Sequence, residues 1–512
     1  MKRVISRRNL QRLFIGWGVP MALLVAASSP PGKTQITSTS DSEISLGSLV
    51  NGSEGGSCNS GICAITGGTA KNNKLFHRLT EFYAHSGIDK VTINNDQSTN
   101  NPYQSVIVAN IDDNQLGTFI DTPIEFTTSK SDLIILAPWG IRLGTGAQFT
   151  NIGSIALSTS DQLRIGDETF HFLFSDVNEI NNFSDSIELI QDNFINGYPD
   201  GAPINIVIDV SEQLAIEGDL LLHGIGGVYI NSNTAGERAK LNVANGLDIH
   251  SSGDSMFGEV EQLPNQSTTL DDLDITAQSV NANSVGTGVQ TLAIKVNNTK
   301  IKSTEGNISL KGISGDEVDG GESNLQGIFI EANSTLVAEK GNIQLEGHAG
   351  NGNNQTVTET YNWEEGGSSY QQIETFDVAV GRGIEIHNSS IEAKEGTIDI
   401  DSVASHGSIV FYGNGAELRN SKLEADQIDI KGTSAKSTVD TKHSFGISIE
   451  NTTLLGESGI DLIGQPGHQE ANGPNGENVG GIRLYDSELT SSNGKLKLTG
   501  IGGSGTILDD SE

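Results

Sequence analysis

The chain has 512 residues, 65 acidic against 30 basic for a formal charge of −35, with 62 Gly, 11 Pro, 2 Cys and 5% aromatics. That excess of negative charge argues against nucleic acid, whose affinity rests on Lys and Arg neutralising phosphates, and against an anionic membrane surface. Disorder is the first alternative for an acidic, aromatic-poor chain, and it is set aside because the apolar residues, 35% of the total, are regularly patterned.

Residues 1–28 read as a secretory signal peptide. Lys2, Arg3, Arg7, Arg8 and Arg12 form a cationic start, and an apolar run from Leu13 to Val25 follows. Small residues Ala26 to Ser29 then lead to Pro30 and Pro31, with cleavage expected near Ala27 or Ser28. A retained anchor is disfavoured because the apolar run is shorter than the ~20 residues that span a bilayer. Ser6-Arg7-Arg8 alone is a weak twin-arginine signal, so the general secretion route is preferred. Removing the leader takes away five cations and no acid, so −35 becomes −40. No later stretch reads as a membrane span, and the mature chain is expected to be soluble and exported. In an oxidising compartment, Cys58 and Cys63, set in a Gly/Ser turn, are expected to form a short-range disulfide that stiffens a local turn.

From about Gln35 to Phe172, short apolar alternations separated by Gly, Asn and Asp turns predict strands, among them Val91–Ile93, Val106–Val108 and Leu133–Leu136. One short helix is expected near Asp176–Asp192. From about residue 205 the sequence repeats. Gly327-Ile328-Phe329-Ile330, Gly383-Ile384-Glu385-Ile386, Gly415-Ala416-Glu417-Leu418, Gly446-Ile447-Ser448-Ile449 and Gly481-Ile482-Arg483-Leu484 align. Each leads to Asn-Ser, Asn-Thr or Asp-Ser and a further Ile or Leu, and a second glycine opens the tail of most units. The consensus is G-I-x-I-x-N-[ST]-x-[IL]-x-A-x-x-G-x-I-x-L-x-G.

Each unit of roughly 20 residues holds three period-2 strands and cannot bury its apolar stripe alone. Stacking units side by side buries a continuous core, which is a β-solenoid. Parallel stacking would place Asn333, Asn388, Asn420 and Asn451 in a ladder of side-chain hydrogen bonds at one corner. A long loop from about His348 to Val380, carrying Tyr361, Trp363 and Tyr370, is expected to project from the rod; sugar stacking is the sharper reading of its aromatics and plain decoration the better one.

Chemistry is sparse. Asp399 and Asp401 lie on one strand face, where a solvated outer surface is the better reading than catalysis. Asp271-Asp272-Leu273-Asp274 offers oxygens for Ca²⁺ but lacks the repeating Gly/Asp nonapeptide, so a turn is preferred. No G-x-S-x-G, H-E-x-x-H or P-loop pattern occurs, and the ten histidines are scattered. No metal, cofactor or enzyme activity is expected, and packing suits His77 better than catalysis.

The run Cys63-Ala64-Ile65-Thr66-Gly67-Gly68-Thr69, then Asn73-Lys74-Leu75-Phe76-His77 and Glu81-Phe82, resembles the start of the filamentous haemagglutinin N-terminal domain, the two-partner secretion domain of large cyanobacterial exoproteins. Leu133 to Ile141 with Gly144, and Asn151-Ile152-Gly153-Ser154 with Ala156, Ser158 and Thr159, are similar to later parts of the same domain. One departure is the family's Asn-Pro-Asn-Gly turn, here Ala137-Pro138-Trp139-Gly140. The resemblance implies residues 33–175 as the secretion domain, 176–204 as a linker and 205–512 as β-helix repeats with protruding loops. The fold is then an all-β, right-handed parallel β-helix with an N-terminal secretion-domain cap.

It also implies a partner, an outer-membrane β-barrel transporter whose periplasmic receptor domains bind the unfolded N-terminal segment, with Leu75, Phe76, His77, Pro138 and Gly140 as the recognition residues. The expected product is secreted, or sits on the outside of a Gram-negative outer membrane, and acts as an adhesin on a host-cell or surface glycan. A β-helix enzyme on polysaccharide is the alternative, for which convergent carboxylates with Arg or Lys would speak. A toxin-delivery stalk is a third reading, disfavoured because the sequence stops at Asp509-Asp510-Ser511-Glu512 just after a repeat; that ending is short for the family and fits a truncated copy.

Overall fold

Alternation of Ile, Leu and Val with polar residues commits each short segment to a strand with one apolar edge, and the structure buries all these edges along one axis. The computed structural model describes residues 34–501 except 41–44, 97–101, 112–116, 166–167, 172–186, 190–204, 211–212, 233–238, 253–254, 258–272, 286–291, 316–323, 351–356, 366–367, 377, 412, 443 and 468–479. The predicted signal peptide and most of the predicted linker lie outside the described residues, as does Asp271-Asp272. Among the described residues there are strands and no helix. Where a helix was expected near Asp176–Asp192, Ile187–Leu189 is a strand paired antiparallel with Gln162–Ile165, in keeping with its period-2 Ile-Glu-Leu; the rest of that segment lies outside the described residues.

Three columns of parallel strands make the three faces of a β-helix. The first face starts with Lys74–Ala84, Ser105–Asn110, Ser131–Leu136 and Ile152–Ser158, and ends with Lys495–Gly500. The second starts with the far half of Lys74–Ala84, Thr118–Ile120 and Ile141–Leu143, and ends with Gly480–Tyr485. The third starts with Gly61–Gly67, Ile88–Ile93 and Pro123–Phe126, and ends with Glu488–Ser491. In each coil the chain visits the second, third and first faces in turn. Inward side chains fall in register, as in the row Ile208, Ile230, Phe257, Val296, Ile330, Ile386, Leu418 and Ile449, all buried. Burying one such side chain is worth about 1.5–3 kcal/mol. A single coil buries Ile384, Ile386, Ile391, Ala393, Ile398 and Ile400. One apolar cluster therefore runs the length of the rod, from Ile36 to Leu462.

Two of the three faces run on between the two segments that the sequence separates, while on the third the pairing ends at Gln148–Thr150 and resumes at Leu214–Ile216. Ile141–Leu143 pairs in parallel with Ile206–Ile208, and Ile155–Ser158 with Leu220–His223. At the N-terminal end antiparallel strands cover the open edges. Gln35–Ser38 pairs with Ser57–Cys58 and with Lys74–Ala84, Ser48–Val50 pairs with Gly61–Gly67, and Thr69–Lys71 folds back on Lys74. Covering an edge removes a template for uncontrolled strand pairing. On the last described coil Leu484, Tyr485, Leu496, Leu498 and Ile501 are exposed.

Coil length varies at the corners. Asp209 and Asn231 sit one coil apart with a separation of 22 residues, Asn307 and Asn342 with 35, and Asn342 and Thr397 with 55. The 55-residue coil includes a hairpin, Val357–Glu365 with Ser368–Phe376, where sequence reading expects a loop; Trp363 pairs with Tyr370 and Tyr361 with Gln372. A further small parallel sheet joins Val378–Ala379, His406–Phe411 and Lys436–Lys442.

The glycines of the consensus mark the corner between the first and second faces. A Cβ on Gly347 would lie 2.4 Å from the Gly383 carbonyl oxygen, and one on Gly432 or Gly464 1.9 Å from the oxygen of Gly446 or Gly481. The requirement there is space, since two backbone segments touch.

Candidate functional site

Leu75, Phe76 and His77 lie in the long first strand of the stack and are buried. Phe76 packs in a side cluster with Leu46, Ile107, Ile134, Leu136 and Leu163. His77 is fully buried with Nδ1 3.2 Å from Ser48 Oγ, and burial lowers its pKa to about 4, so it is neutral at neutral pH. Pro138 is also buried, in a turn closed by the Gly140 N–H donating to the Ala137 carbonyl at 3.0 Å. Gly140 has φ of +108°, which favours glycine, and its carbonyl accepts from Thr118 N–H at 2.9 Å. The turn therefore serves the stack without the two asparagines of the family pattern. In the folded chain Leu75, Phe76, His77 and Pro138 are therefore not presented at the surface. Cys58 and Cys63 are joined, with Cα atoms 5.7 Å apart, inside the N-terminal cap.

Asn333, Asn388, Asn420 and Asn451 do stack at one corner, but not as a side-chain ladder. Each has positive φ, 63°, 47°, 49° and 49°, and each is exposed. Asn is chosen for the left-handed backbone. The side-chain ladder belongs to the next residue. Ser389 N–H donates to Ser421 Oγ at 3.2 Å, Ser421 N–H to Thr452 Oγ1 at 3.3 Å, and Thr452 N–H to Ser487 Oγ at 3.2 Å. These hydroxyls are within reach of coil-end amides because they point inward at the corner. The [ST] of the consensus was the signal. Asp399 and Asp401 point outward: Asp399 is in register with Asp429, and Asp401 lies 3.5 Å from Lys431. Burial, then repulsion from Asp429 and Asp401, raises the Asp399 pKa.

A convergent charged cluster lies on the outer side of the second face. Register places Glu385 beside Glu417 and His387 beside Arg419. The two glutamates are outward-pointing yet 5% and 1% exposed. Arg382 bridges them, with Nε 2.6 Å from Glu417 Oε2 and Nη1 3.2 Å from Glu385 Oε2. Gln326 Nε2 donates to Glu385 Oε2, and Asn414 Nδ2 to Glu417 Oε2 at 2.8 Å. His387 Nε2 stands 3.0 Å from Glu385 Oε1 and 3.8 Å from Glu417 Oε1, and Arg419 Nη2 lies 2.7 Å from Glu417 Oε1. Neither His387 Nε2 nor Glu417 Oε1 has a well-aligned hydrogen bond, so these contacts are ionic. The aligned repeats already set Glu385 over Glu417; Arg382 lay outside the aligned block and was missed.

The ligand atoms of Glu385, His387 and Glu417 lie within 4.8 Å of one another, the geometry of a metal-binding group. Two guanidiniums and the imidazole already neutralise the carboxylates, so a cation would have to displace them. Burial disfavours the charge on His387, but Glu385 and Glu417 overcome it and raise its pKa to about 9. Burial likewise opposes the Glu417 charge, and His387, Arg382, Asn414 and Arg419 overcome it, holding the carboxyl down to about 2. The arrangement is a closed ion cluster that pins adjacent coils.

Its linkage has a definite sign. The His387 contribution to stability is complete below its ordinary pKa of 6.5 and is lost as pH rises through about 9. The Glu417 contribution is complete above 4.5 and is lost as pH falls through about 2. Denaturant unfolding of the wild type and His387→Gln, compared from about pH 5 to about pH 10, should show a difference that is largest at the acid end and shrinks above 6.5. A difference independent of pH would rule out the ionised imidazole.

Fold and cluster together define a parallel β-helix with an antiparallel N-terminal cap and an ion-pinned outer face. Comparison with family models, with curated proteins and with solved structures gives no match.

Proposed function

We propose that the protein is an exported, non-enzymatic β-helical exoprotein of the two-partner type, whose N-terminal segment engages an outer-membrane transporter and whose rod acts outside the cell in adhesion. The observation that supports this most is the antiparallel cap over the first coil, whose strands pair with the segments that carry the resemblance, Cys63–Thr69 and Asn73–His77. A cap at one end gives a starting template, and each later coil needs only its neighbour, which suits folding as a chain emerges. Deleting residues 35–170 should abolish appearance in the medium and leave the product inside the cell envelope. Unimpaired release of the deleted chain would sink the reading.

A second reading, a polysaccharide-active enzyme, draws on Glu385, Glu417 and Arg382, the convergent carboxylates and cation it needs. Burial and the low Glu417 pKa speak against it, because the Glu417 carboxyl holds no proton to transfer at neutral pH. Sugar release that is lost in Glu417→Gln would establish it.

A further inference from the structure

We infer that the exposed asparagine corner is a binding ridge for an extended, neutral polysaccharide; this rests on the adhesive reading above and locates its ligand site. Asn333, Asn388, Asn420 and Asn451 come from four successive coils. Their backbone N–H groups are used, Asn388 donating to the Arg419 carbonyl and Asn420 to that of Glu450, both at 3.0 Å. Among the described residues no side-chain amide of the four has a partner. Free amides thus stand in a row with the interstrand spacing of about 4.8 Å, so four of them cover roughly 14 Å along the rod.

Two features make the row more than a set of turns. The hydroxyls of Ser334, Ser389, Ser421 and Thr452, buried directly beneath, lock each Asn at a fixed height. Beyond them Thr335, Ser390 and Lys422 form the other wall of an open groove of about 610 Å³ whose lining includes all four asparagines. The side chains lining it are amides and hydroxyls, together with Ala332 and Lys422, and Lys422 lies 2.6 Å from Glu424.

Each amide offers two donors and an acceptor, which matches sugar hydroxyls that both donate and accept. Adjacent coils are about one sugar ring apart, so an extended chain can address successive amides in turn. The chain as a whole carries −35, which disfavours an acidic polymer. No aromatic lines the groove, so single contacts are weak and binding depends on repetition along the polymer.

The test is affinity electrophoresis of the full exported chain through gels containing soluble neutral glucans or mannans, with polygalacturonate and a polymer-free gel as comparisons. Wild type should be retarded by at least one neutral polymer and not by its monosaccharide. The variant Asn388→Gly/Asn420→Gly keeps the left-handed backbone and removes two amides. It should lose roughly tenfold in apparent affinity, the equivalent of two neutral hydrogen bonds, with an unchanged circular dichroism spectrum. Asn388→Asp/Asn420→Asp, which keeps the shape and removes the donors, should lose as much. Free migration of the wild type in all neutral polymers, retardation by polygalacturonate alone, adherence to protein-coated rather than glycan-coated beads, or full retention of the Gly variant would each overturn the proposal. Secretion is read separately, so a secreted chain that binds no glycan overturns this inference and leaves the transporter reading standing.

Discussion

Arg382→Ala is expected to destabilise the coils around it by about 3–5 kcal/mol, the range for breaking a buried ion pair by removing one partner. The guanidinium reaches both buried carboxylates, at 2.6 Å and 3.2 Å, more closely than His387 reaches Glu417, at 3.8 Å. Without it Glu385 keeps Gln326 and His387, and Glu417 keeps Asn414 and Arg419, but the bridge between the two coils is left to the longer His387–Glu417 contact of 3.8 Å. Arg382→Lys should recover part of the loss, because an ammonium cannot present the planar fork to two carboxylates. Replacing Arg382, Glu385 and Glu417 together by apolar residues should cost far less than the single change, since it leaves no orphaned charge. Hydrogen exchange at the amides of Ile384 to His387 and Ala416 to Arg419 reads the effect locally, which matters in a repeat array where stability is not one global quantity. Exchange within about twofold of wild type in Arg382→Ala would show that the cluster contributes nothing.

The second large effect is expected at the glycine corner. In Gly432→Ala the new methyl would sit 1.9 Å from the Gly446 carbonyl oxygen and 3.0 Å from Ile447 Cγ1. Backbone on both sides must move, so a loss of about 3 kcal/mol is expected, the upper end for overpacking. Gly459→Ala is the matched control. Its Cβ would meet the Lys495 oxygen at 3.4 Å, an ordinary contact, and the change should be neutral or slightly stabilising. Equal denaturant midpoints for the two variants would contradict the close-approach account.

Much of the second half was legible because repeat alignment and strand register are the same information. The aligned Ile328, Ile384, Ala416, Ile447 and Ile482 are neighbours across coils. The first half was harder. Its coils, such as Leu133–Leu136 on Val106–Ala109, share alternation but not turn residues, and parallel stacking requires only the alternation. The asparagine row is legible but its role is not, because left-handed backbone and side-chain bonding both select Asn. The charged cluster was half visible, in the stacked glutamates, and half hidden in Arg382, which no periodic rule places. The hairpin at Val357–Phe376 reads as a loop in sequence because antiparallel pairing there is local and lies off the repeat.

The coils that take 22, 35 or 55 residues all return to the same register. The rod therefore counts turns of chain, not residues. Its height is quantised in steps of about 4.8 Å, and an insertion at a corner adds girth without adding height. Two marks on one face keep their separation however large the outgrowth between them, so such a molecule can acquire or lose protrusions while its ruler stays fixed.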